Sequence, residues 1–221
     1  SQRFGGEIRL AHEYRQRTGS FKLRGALNAV LQRAPAVRGV TTVSTGNHGK
    51  ALAWSARQAG IPCVVCMASL VPDHKRQSIR ALGAEVRIVG SNQDEAEVEA
   101  RRLVAEEGFE MISAFDDPRV ICGQGTLALE MLDPRSDLET LVVPLSGGGL
   151  IAGIAVAIKG SDPSIRMVGV SQDRGPAMYD SLRAGHLVDV VEEDTLADAL
   201  AGGLGPENHH SFEMCRDLLD D

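Results

Sequence analysis

The chain has 221 residues, of which 43% are hydrophobic and 24% charged, so its composition is that of a globular protein and excludes wholesale disorder. Its net charge of -7 and its 4% aromatic content argue against nucleic acid or an anionic membrane as a partner. Both of those partners are bound by clustered positive charge, and single-stranded nucleic acid also by aromatic stacking.

Short β-branched runs alternate with longer helical patterns along the chain. The runs predict strands at 40–43, 63–67, 86–89, 111–112, 141–143 and 167–170. The patterns that follow these runs predict helices at 49–58, 73–82, 93–107, 125–132, 150–159 and 177–184. Alternation at this spacing, with strands that are continuously apolar, predicts an α/β fold whose parallel sheets are covered on both faces. Junctions between domains are predicted at Pro118 and at 133–137.

One uncharged segment, residues 141–158, is as long as a membrane span. Pro144 and three consecutive glycines interrupt it, and these residues break a helix and leave backbone groups unpaired in lipid. A strand, a glycine turn and a helix fit the segment better than a membrane helix does.

The four cysteines do not have the spacing of a metal site. Cys63 and Cys66 form a CxxC motif, but it lies inside an apolar run, where positions three apart point to opposite faces of a strand. Cys122 and Cys215 stand alone, and the adjacent His209 and His210 do not have the spacing that completes a zinc site. We therefore expect buried thiols and no metal. Since no signal peptide opens the sequence, we expect a cytoplasmic protein.

Lys22 is the first candidate for chemistry. The chain contains only four lysines among its 23 basic residues, so a lysine is not its ordinary surface cation. A lysine amine can be neutralised by burial and can form a Schiff base, which a guanidinium group cannot do. Lys22 also follows Gly19, Ser20 and Phe21, and this context places it at the start of a helix. A surface lysine in a first helical turn is the alternative.

Two segments between a strand and a helix have the features of anion sites. The segment 44–49 offers hydroxyl groups, an amide and free backbone N–H groups at a helix N-terminus, which suit a carboxylate or a phosphate. The segment 146–150 contains three consecutive glycines, which let the backbone wrap a phosphate. The second segment also fits a dinucleotide fingerprint, formed by Gly147, Gly149, Ala152 and the later Asp173.

One ligand accounts for the amine and both anion sites together. Pyridoxal phosphate is a phosphorylated aldehyde that binds a lysine and also binds amino acids, whereas a nicotinamide cofactor would explain the glycine segment alone. We therefore expect pyridoxal 5'-phosphate as the cofactor and an amino acid as the small-molecule substrate.

These residues resemble the fold-type II pyridoxal-phosphate enzymes of the threonine/serine dehydratase and serine racemase family. The resemblance covers almost the whole chain and implies two parallel-sheet domains of the tryptophan-synthase-β-like kind. Residues 66–72, 80–90 and 145–149 look closest to the hydroxyectoine-utilisation dehydratase branch. The motifs that carry the resemblance are Glu13-x-x-Gln16-x-Thr18-Gly-Ser-Phe-Lys22-x-Arg-Gly-Ala, Ser44-x-Gly-Asn-His-Gly49, Gly123-Gln-Gly-Thr126 and Pro144-x-x-Gly-Gly-Gly149.

The resemblance also implies a role for each matching residue. Lys22 would hold the cofactor and then act as the base at the substrate α-carbon, and Phe21 would pack near the cofactor. The substrate carboxylate would be held by Ser44, Thr45, Asn47 and His48, with Asn47 also bonding an oxygen on the cofactor ring. The phosphate would be held by the backbone of Ser146, Gly147, Gly148, Gly149 and Leu150.

The activity implied is β-elimination: a β-hydroxy amino acid such as L-threonine or L-serine loses water and then ammonia to give a 2-oxo acid. Racemisation and the dehydration of a hydroxyectoine breakdown product are alternatives within the enzyme class. Racemising members carry a serine where this chain has Thr45, our second catalytic candidate, and the added methyl group weakens that alternative. The racemase-like metal site would fall on Ser171, Gly175 and Ala177, of which two lack a side-chain oxygen, so we expect no metal there. Family members often have a glycine flanking the ring where this chain has Ala199.

The resemblance implies a smaller domain, residues 40–117, inserted into a larger one formed by 1–39 and 118–221. Family members continue into further strands and a second glycine-rich turn, so we expect this chain to be truncated at its C-terminal side. A truncated paralogue without turnover is therefore an alternative of a different class. Dimers are common in the family, and we expect a homodimer.

Overall fold

A computed structural model describes residues 5–44, 46–132, 137–191, 193, 195–205 and 208–221. Thr45 and most of the predicted junction at 133–137 lie outside the described residues.

Within these ranges the chain forms six strands, eight α-helices and two short 3-10 helices, at Glu13–Arg15 and Asp198–Leu200. The strands β1 to β6 are Gly39–Val43, Cys63–Met67, Glu85–Ile88, Phe109–Met111, Thr140–Pro144 and Arg166–Val170. The helices α1 to α8 are Lys22–Leu31, Asn47–Ala59, Asp73–Ala81, Gln93–Glu107, Pro118–Met131, Gly149–Ser161, Ala177–Ala184 and Ser211–Leu218.

The first four strands form one parallel sheet in the order β3-β2-β1-β4. Its central strands, β1 and β2, are almost entirely buried because both faces of the sheet are covered. Alternate residues of β2 enter different cores: Cys63 packs with residues of α1, α2 and α3, whereas Cys66 packs with residues of α4. The two cysteines of the CxxC motif thus lie on opposite faces of the sheet, as the strand period predicts.

The remaining strands, β5 and β6, form a second parallel pair. Their buried residues join one continuous core with α5, α6, α7 and α8. The chain is therefore an α/β protein built around two parallel sheets, as the sequence predicts.

Helix α5 connects the two cores because its neighbours approach its backbone closely. A methyl group on Gly25 of α1 would lie 2.7 Å from the Val120 carbonyl oxygen. On the other side, a methyl group on Gly153 of α6 would lie 2.8 Å from the Gly125 amide nitrogen. Only residues without a side chain permit these helix crossings, which fix both α1 and α6 against the same helix.

The sequence predicts most strands to within two residues but misses three helical features. Helix α5 begins at Pro118 rather than at residue 125, so the proline predicted as a junction is the first helical residue. Asp117 caps this helix by accepting hydrogen bonds from the Arg119 and Val120 amides. Helix α8 is not predicted at all, and α1 is predicted only as a helix of unstated length after Lys22. Among the described residues, no helix combines the length and apolarity needed to cross a membrane.

Candidate active site

The Lys22 amine is enclosed by protein at the start of α1. Its Nζ donates a hydrogen bond of 2.6 Å to the Ala114 carbonyl oxygen and lies 5.3 Å from the centre of the Phe21 ring. Burial lowers the pKa of Lys22 from 10.5 to about 8, because little water is left to solvate the ammonium form. A lysine with this pKa is partly neutral near physiological pH and can therefore act as a nucleophile or a base.

An ion-pair cluster holds the segment before Lys22 in place. Arg24 donates two hydrogen bonds to Glu13, at 2.7 and 2.9 Å, and two more to Glu130 of α5 at the same distances. Paired bonds of this kind fix the guanidinium plane as well as its position. Arg24, two residues after Lys22, thus joins α1 to the first 3-10 helix and to α5.

The N-terminus of α2 offers backbone donors to an anion. Ser44 precedes the helix, and its Oγ accepts a hydrogen bond of 3.2 Å from the Gly49 amide. Asn47 and His48 are the first two helical residues, and the N–H groups at these positions point out of a helix end toward solvent or a ligand. This end of α2 therefore has the positive potential and the free donors that bind a carboxylate.

The His48 side chain is buried and neutral. Its Nε2 lies 3.0 Å from the Ile112 carbonyl oxygen, which can only accept, so Nε2 carries the proton. Burial, together with the nearby Lys22 ammonium, lowers the pKa of His48 to about 3. Its Nδ1 is left as a buried acceptor without a partner in the described part of the chain. Any bond from His48 to a substrate carboxylate would therefore come from its backbone N–H, because the ring has no free donor.

The glycine segment turns the chain from β5 into α6. Gly148 has φ +83°, a left-handed conformation that a residue with a side chain rarely adopts, and Gly149 begins α6. Ser146 and Leu150 flank the glycines. The backbone N–H groups of this turn and of the first helical residues face an anion without a side chain in between.

The segment 112–117 brings the three parts of the site together. Its Ile112 and Ala114 carbonyls hold His48 and Lys22, and a methyl group on Gly147 would overlap the Phe115 ring. The motifs from which the sequence predicts the site do not include this segment. The aspartate before Pro118 was an available signal, because Asp followed by Pro is typical of a helix start.

The arrangement fits pyridoxal phosphate. The cofactor needs an amine that can lose its proton and a phosphate site without bulky side chains. The buried Lys22 supplies the first and the 147–149 turn, with its left-handed Gly148, supplies the second. The contacts of the segment 112–117 thus connect Lys22, His48 and the glycine turn, while Thr45 lies outside the described residues.

Comparisons with known proteins agree with this geometry. Residues 1–221 match the family model described as pyridoxal-phosphate dependent enzyme. The chain is 53% identical over 219 residues to a Sinorhizobium fredii protein named "Putative threonine dehydratase", covering 98% of this chain and 66% of the relative. It is 41% identical to the L-threonine ammonia-lyase of Geobacter sulfurreducens, covering 100% of this chain and 55% of that protein.

Solved structures show the same likeness. The processed form of threonine deaminase isoform 2 from Solanum lycopersicum superposes with a TM-score of 0.92 at 35% identity, covering 99% of this chain and 64% of that one. Maize serine racemase superposes with a TM-score of 0.88 at 33% identity, covering 95% and 63%. The chain spans between about half and two thirds of the length of these relatives. Because the family model matches residues 1–221, the chain belongs to the pyridoxal-phosphate dependent enzyme family.

Proposed function

We propose that the protein is a pyridoxal-phosphate dependent ammonia-lyase that converts L-threonine, or a related β-hydroxy amino acid, to a 2-oxo acid and ammonia. The observation that carries this proposal is the enclosed Lys22 amine, with its pKa of about 8, beside two helix N-termini that suit anions. The relatives named as threonine dehydratase and L-threonine ammonia-lyase support the choice of substrate class.

Different residues of the chain would bind the phosphate, the cofactor ring and the substrate carboxylate. The backbone from Ser146 to Leu150 would hold the phosphate, and Phe21 and Asn47 would flank the ring. Bound pyridoxal phosphate supplies an electron sink for the bond broken at the substrate α-carbon. The substrate carboxylate would lie at the N-terminus of α2, against Ser44 and the backbone of Asn47 and His48. By resemblance, Thr45 would share in this site.

Lys22 would move the proton. Its Nζ accepts the proton from the substrate α-carbon, and burial favours this because it holds the amine pKa near the working pH. The β-hydroxyl group would then leave, so that the α-proton and the hydroxyl are lost together as one water molecule. Hydrolysis of the released enamine would give ammonia and the 2-oxo acid. The neutral His48 ring beside Lys22 adds no second positive charge that would oppose proton transfer to the amine.

We further propose that residues 40–117 form an inserted domain and that 1–39 and 118–221 form the larger one. The separation of β1–β4 from β5–β6 into two sheets supports this division. Racemisation is the second candidate activity, favoured by the similarity to maize serine racemase. Action on a hydroxyectoine breakdown product, and assembly as a homodimer, remain proposals from the sequence resemblance.

The test is a visible absorption spectrum of the purified chain with added pyridoxal phosphate, before and after L-threonine, L-serine or D-serine. We expect a band from the lysine-bound cofactor in the unaltered chain and in Lys75→Ala, and no such band in Lys22→Ala. Lys75 is the matched control because it lies on α3 and is over a third exposed. Release of a 2-oxo acid would identify elimination, and inversion of serine without it would identify racemisation.

Failure to form the band in a folded chain would contradict the proposal. In that case the inactive-paralogue hypothesis would explain the motifs better than an enzyme hypothesis does.

A further inference from the structure

We propose that Asp116 is a positioning residue that couples helix α8 and the 147–149 turn to the Lys22 amine. The proposal rests on the proposed function, because it assigns Asp116 to the site that would hold the cofactor. Asp116 touches neither the Lys22 amine nor the turn. It would act on both through helix α8 and through the backbone of residues 114–115.

The Asp116 carboxylate holds the start of α8. It accepts hydrogen bonds from the backbone amides of His209 at 2.7 Å, His210 at 2.9 Å and Ser211 at 2.8 Å. The first amides of a helix have no partner within the helix, and a carboxylate placed there also interacts favourably with the helix dipole. One side chain thus satisfies three consecutive donors more than 90 residues away in the sequence.

Helix α8 in turn lies against the glycine turn. A methyl group on Gly148 would lie 3.2 Å from the Ser211 Cβ and 3.0 Å from the Cys215 Sγ. Cys215 also lies 3.9 Å from the Gly148 carbonyl oxygen. Helix α8 therefore supports the turn from outside, and its position depends on the Asp116 carboxylate at its first residue.

The residues just before Asp116 form the other half of the coupling. Ala114 offers its carbonyl oxygen to the Lys22 amine, and a methyl group on Gly149 would lie 2.8 Å from the Phe115 Cα. The Ser113 hydroxyl accepts a hydrogen bond of 3.0 Å from the Asp116 amide, which fixes the turn between these residues. A displacement of Asp116 would therefore be transmitted to Lys22 through two peptide units.

The carboxylate of the adjacent Asp117 stabilises a different helix. Asp117 caps α5 and pairs with Arg119, so the two adjacent aspartates hold two different helices. Asp116 is the one that links α8 with Lys22 and the glycine turn, because the three hydrogen bonds that its carboxylate accepts all come from backbone amides at the start of α8.

The test compares Asp116→Asn with the unaltered chain and with Asp162→Asn. Asp162 is a matched control because its carboxylate also accepts a hydrogen bond from a backbone amide, that of Ser164, but lies at the C-terminal end of α6. The first measurement is amide hydrogen exchange without cofactor, at 209–212 and at Ala152, whose amide donates a hydrogen bond to the Gly148 carbonyl oxygen of the turn. The second is the pH at which half of Lys22 is modified by an acetylating reagent, read by mass spectrometry. The third is the Kd for pyridoxal phosphate.

We expect Asp116→Asn to speed exchange at 209–212 and at Ala152 by about tenfold and to weaken pyridoxal phosphate binding by a similar factor, because asparagine keeps one acceptor oxygen but loses the other and the negative charge that faces the helix dipole. The pH at which half of Lys22 is modified should rise toward the value for an exposed lysine. Asp162→Asn should change none of the three.

Faster exchange confined to 209–212, with Lys22 and the turn unchanged, would overturn the proposal and reduce Asp116 to a cap of α8. If Asp116→Asn does not fold, Asp116→Glu, which keeps the charge but displaces it by one methylene group, undergoes the same measurements and the same decision applies. If the unaltered chain binds no pyridoxal phosphate, the proposed function fails. The exchange and modification measurements still decide the coupling in that case.

Discussion

The Lys22 amine lies in surroundings that oppose its charge, and this should be measurable as a penalty on folding. Its pKa is lowered to about 8 in the folded chain, whereas an unfolded lysine has a pKa near 10.5. The unfolded chain therefore binds more protons between these values, so stability rises with pH across this window. Below pH 8 the full penalty of burying the ammonium group is present.

We expect Lys22→Met to raise the free energy of unfolding of the cofactor-free chain by about 2 kcal/mol at pH 7. The advantage of the variant should shrink between pH 8 and pH 10.5, where the native amine also becomes neutral. Urea unfolding at a series of pH values measures this difference. A difference independent of pH would show that the amine is not desolvated as the structure indicates.

His48 should produce a dependence of the same sign, at lower pH. Its folded pKa is lowered to about 3, so the unfolded chain binds a proton more readily between pH 6.5 and pH 3. Stability is therefore lost as the pH falls through this range, by up to about 1.4 kcal/mol for each pH unit below 6.5.

We expect His48→Gln to remove part of this acid sensitivity, because the glutamine amide can still donate to the Ile112 carbonyl and cannot be protonated. His186→Gln is the matched control, since His186 is exposed. Unfolding midpoints measured between pH 4 and pH 7 check the expectation. Equal acid sensitivity in the unaltered chain and in His48→Gln would contradict a neutral, buried ring.

At the residue scale the sequence predicts Lys22 as the reactive amine because lysine is scarce in this chain, and it predicts both anion segments from their hydroxyl groups and glycines. It could not assign the donor that His48 would use, because that depends on the Ile112 carbonyl, 64 residues away in the sequence. The part played by Asp116 was equally inaccessible, since its partners belong to α8 and are brought near only by the fold.

At the scale of elements, the crossing of α5 and α6 depends on a glycine. A methyl group on Gly153 would overlap the Ile121 carbonyl oxygen and lie 2.8 Å from the Gly125 amide nitrogen. Both are backbone atoms, which cannot move aside unless a whole helix moves. Gly160 lies near the end of the same helix, and a methyl group there would meet no atom within 4 Å among the described residues.

We expect Gly153→Ala to destabilise the chain by about 2 kcal/mol or more, within the range for forced overpacking. Gly160→Ala should be neutral or stabilising by up to about 1 kcal/mol, because alanine favours the helix more than glycine does. Thermal unfolding of the two variants measures the contrast. Similar effects of the two substitutions would mean that α5 and α6 do not approach as closely as the structure shows.

Two glycines within α5 itself explain why the sequence predicts the start of this helix poorly. Gly123 and Gly125 lower the helix propensity of its first half, so local preference places the helix start at residue 125 rather than at Pro118. Tertiary packing overrides this preference, because the missing side chains allow α1 and α6 to approach. The strands are predicted better, since their apolar runs reflect burial on both faces and depend little on their neighbours.

At the scale of the whole molecule, the two sheets differ in how well they are covered. Strands β1 and β2 are buried along their length, whereas β5 and β6 leave Val142 63% exposed and Val170 48% exposed. Apolar side chains on a two-stranded sheet invite pairing with another chain. The longer relatives, of which this chain covers 55% or 66%, have additional sequence beyond the matched region.

We therefore expect the 221-residue chain to self-associate through β5 and β6 as its concentration rises, and Val142→Lys to weaken that association. Val156→Lys is the matched control, because Val156 is 49% exposed but lies on α6, where no strand edge is available. Sedimentation velocity over a range of concentrations distinguishes the two variants. If both substitutions reduce association equally, the added charge alone is responsible and the sheet is not the contact. If only Val142→Lys reduces it, the exposed face of β5 is the surface through which the copies meet.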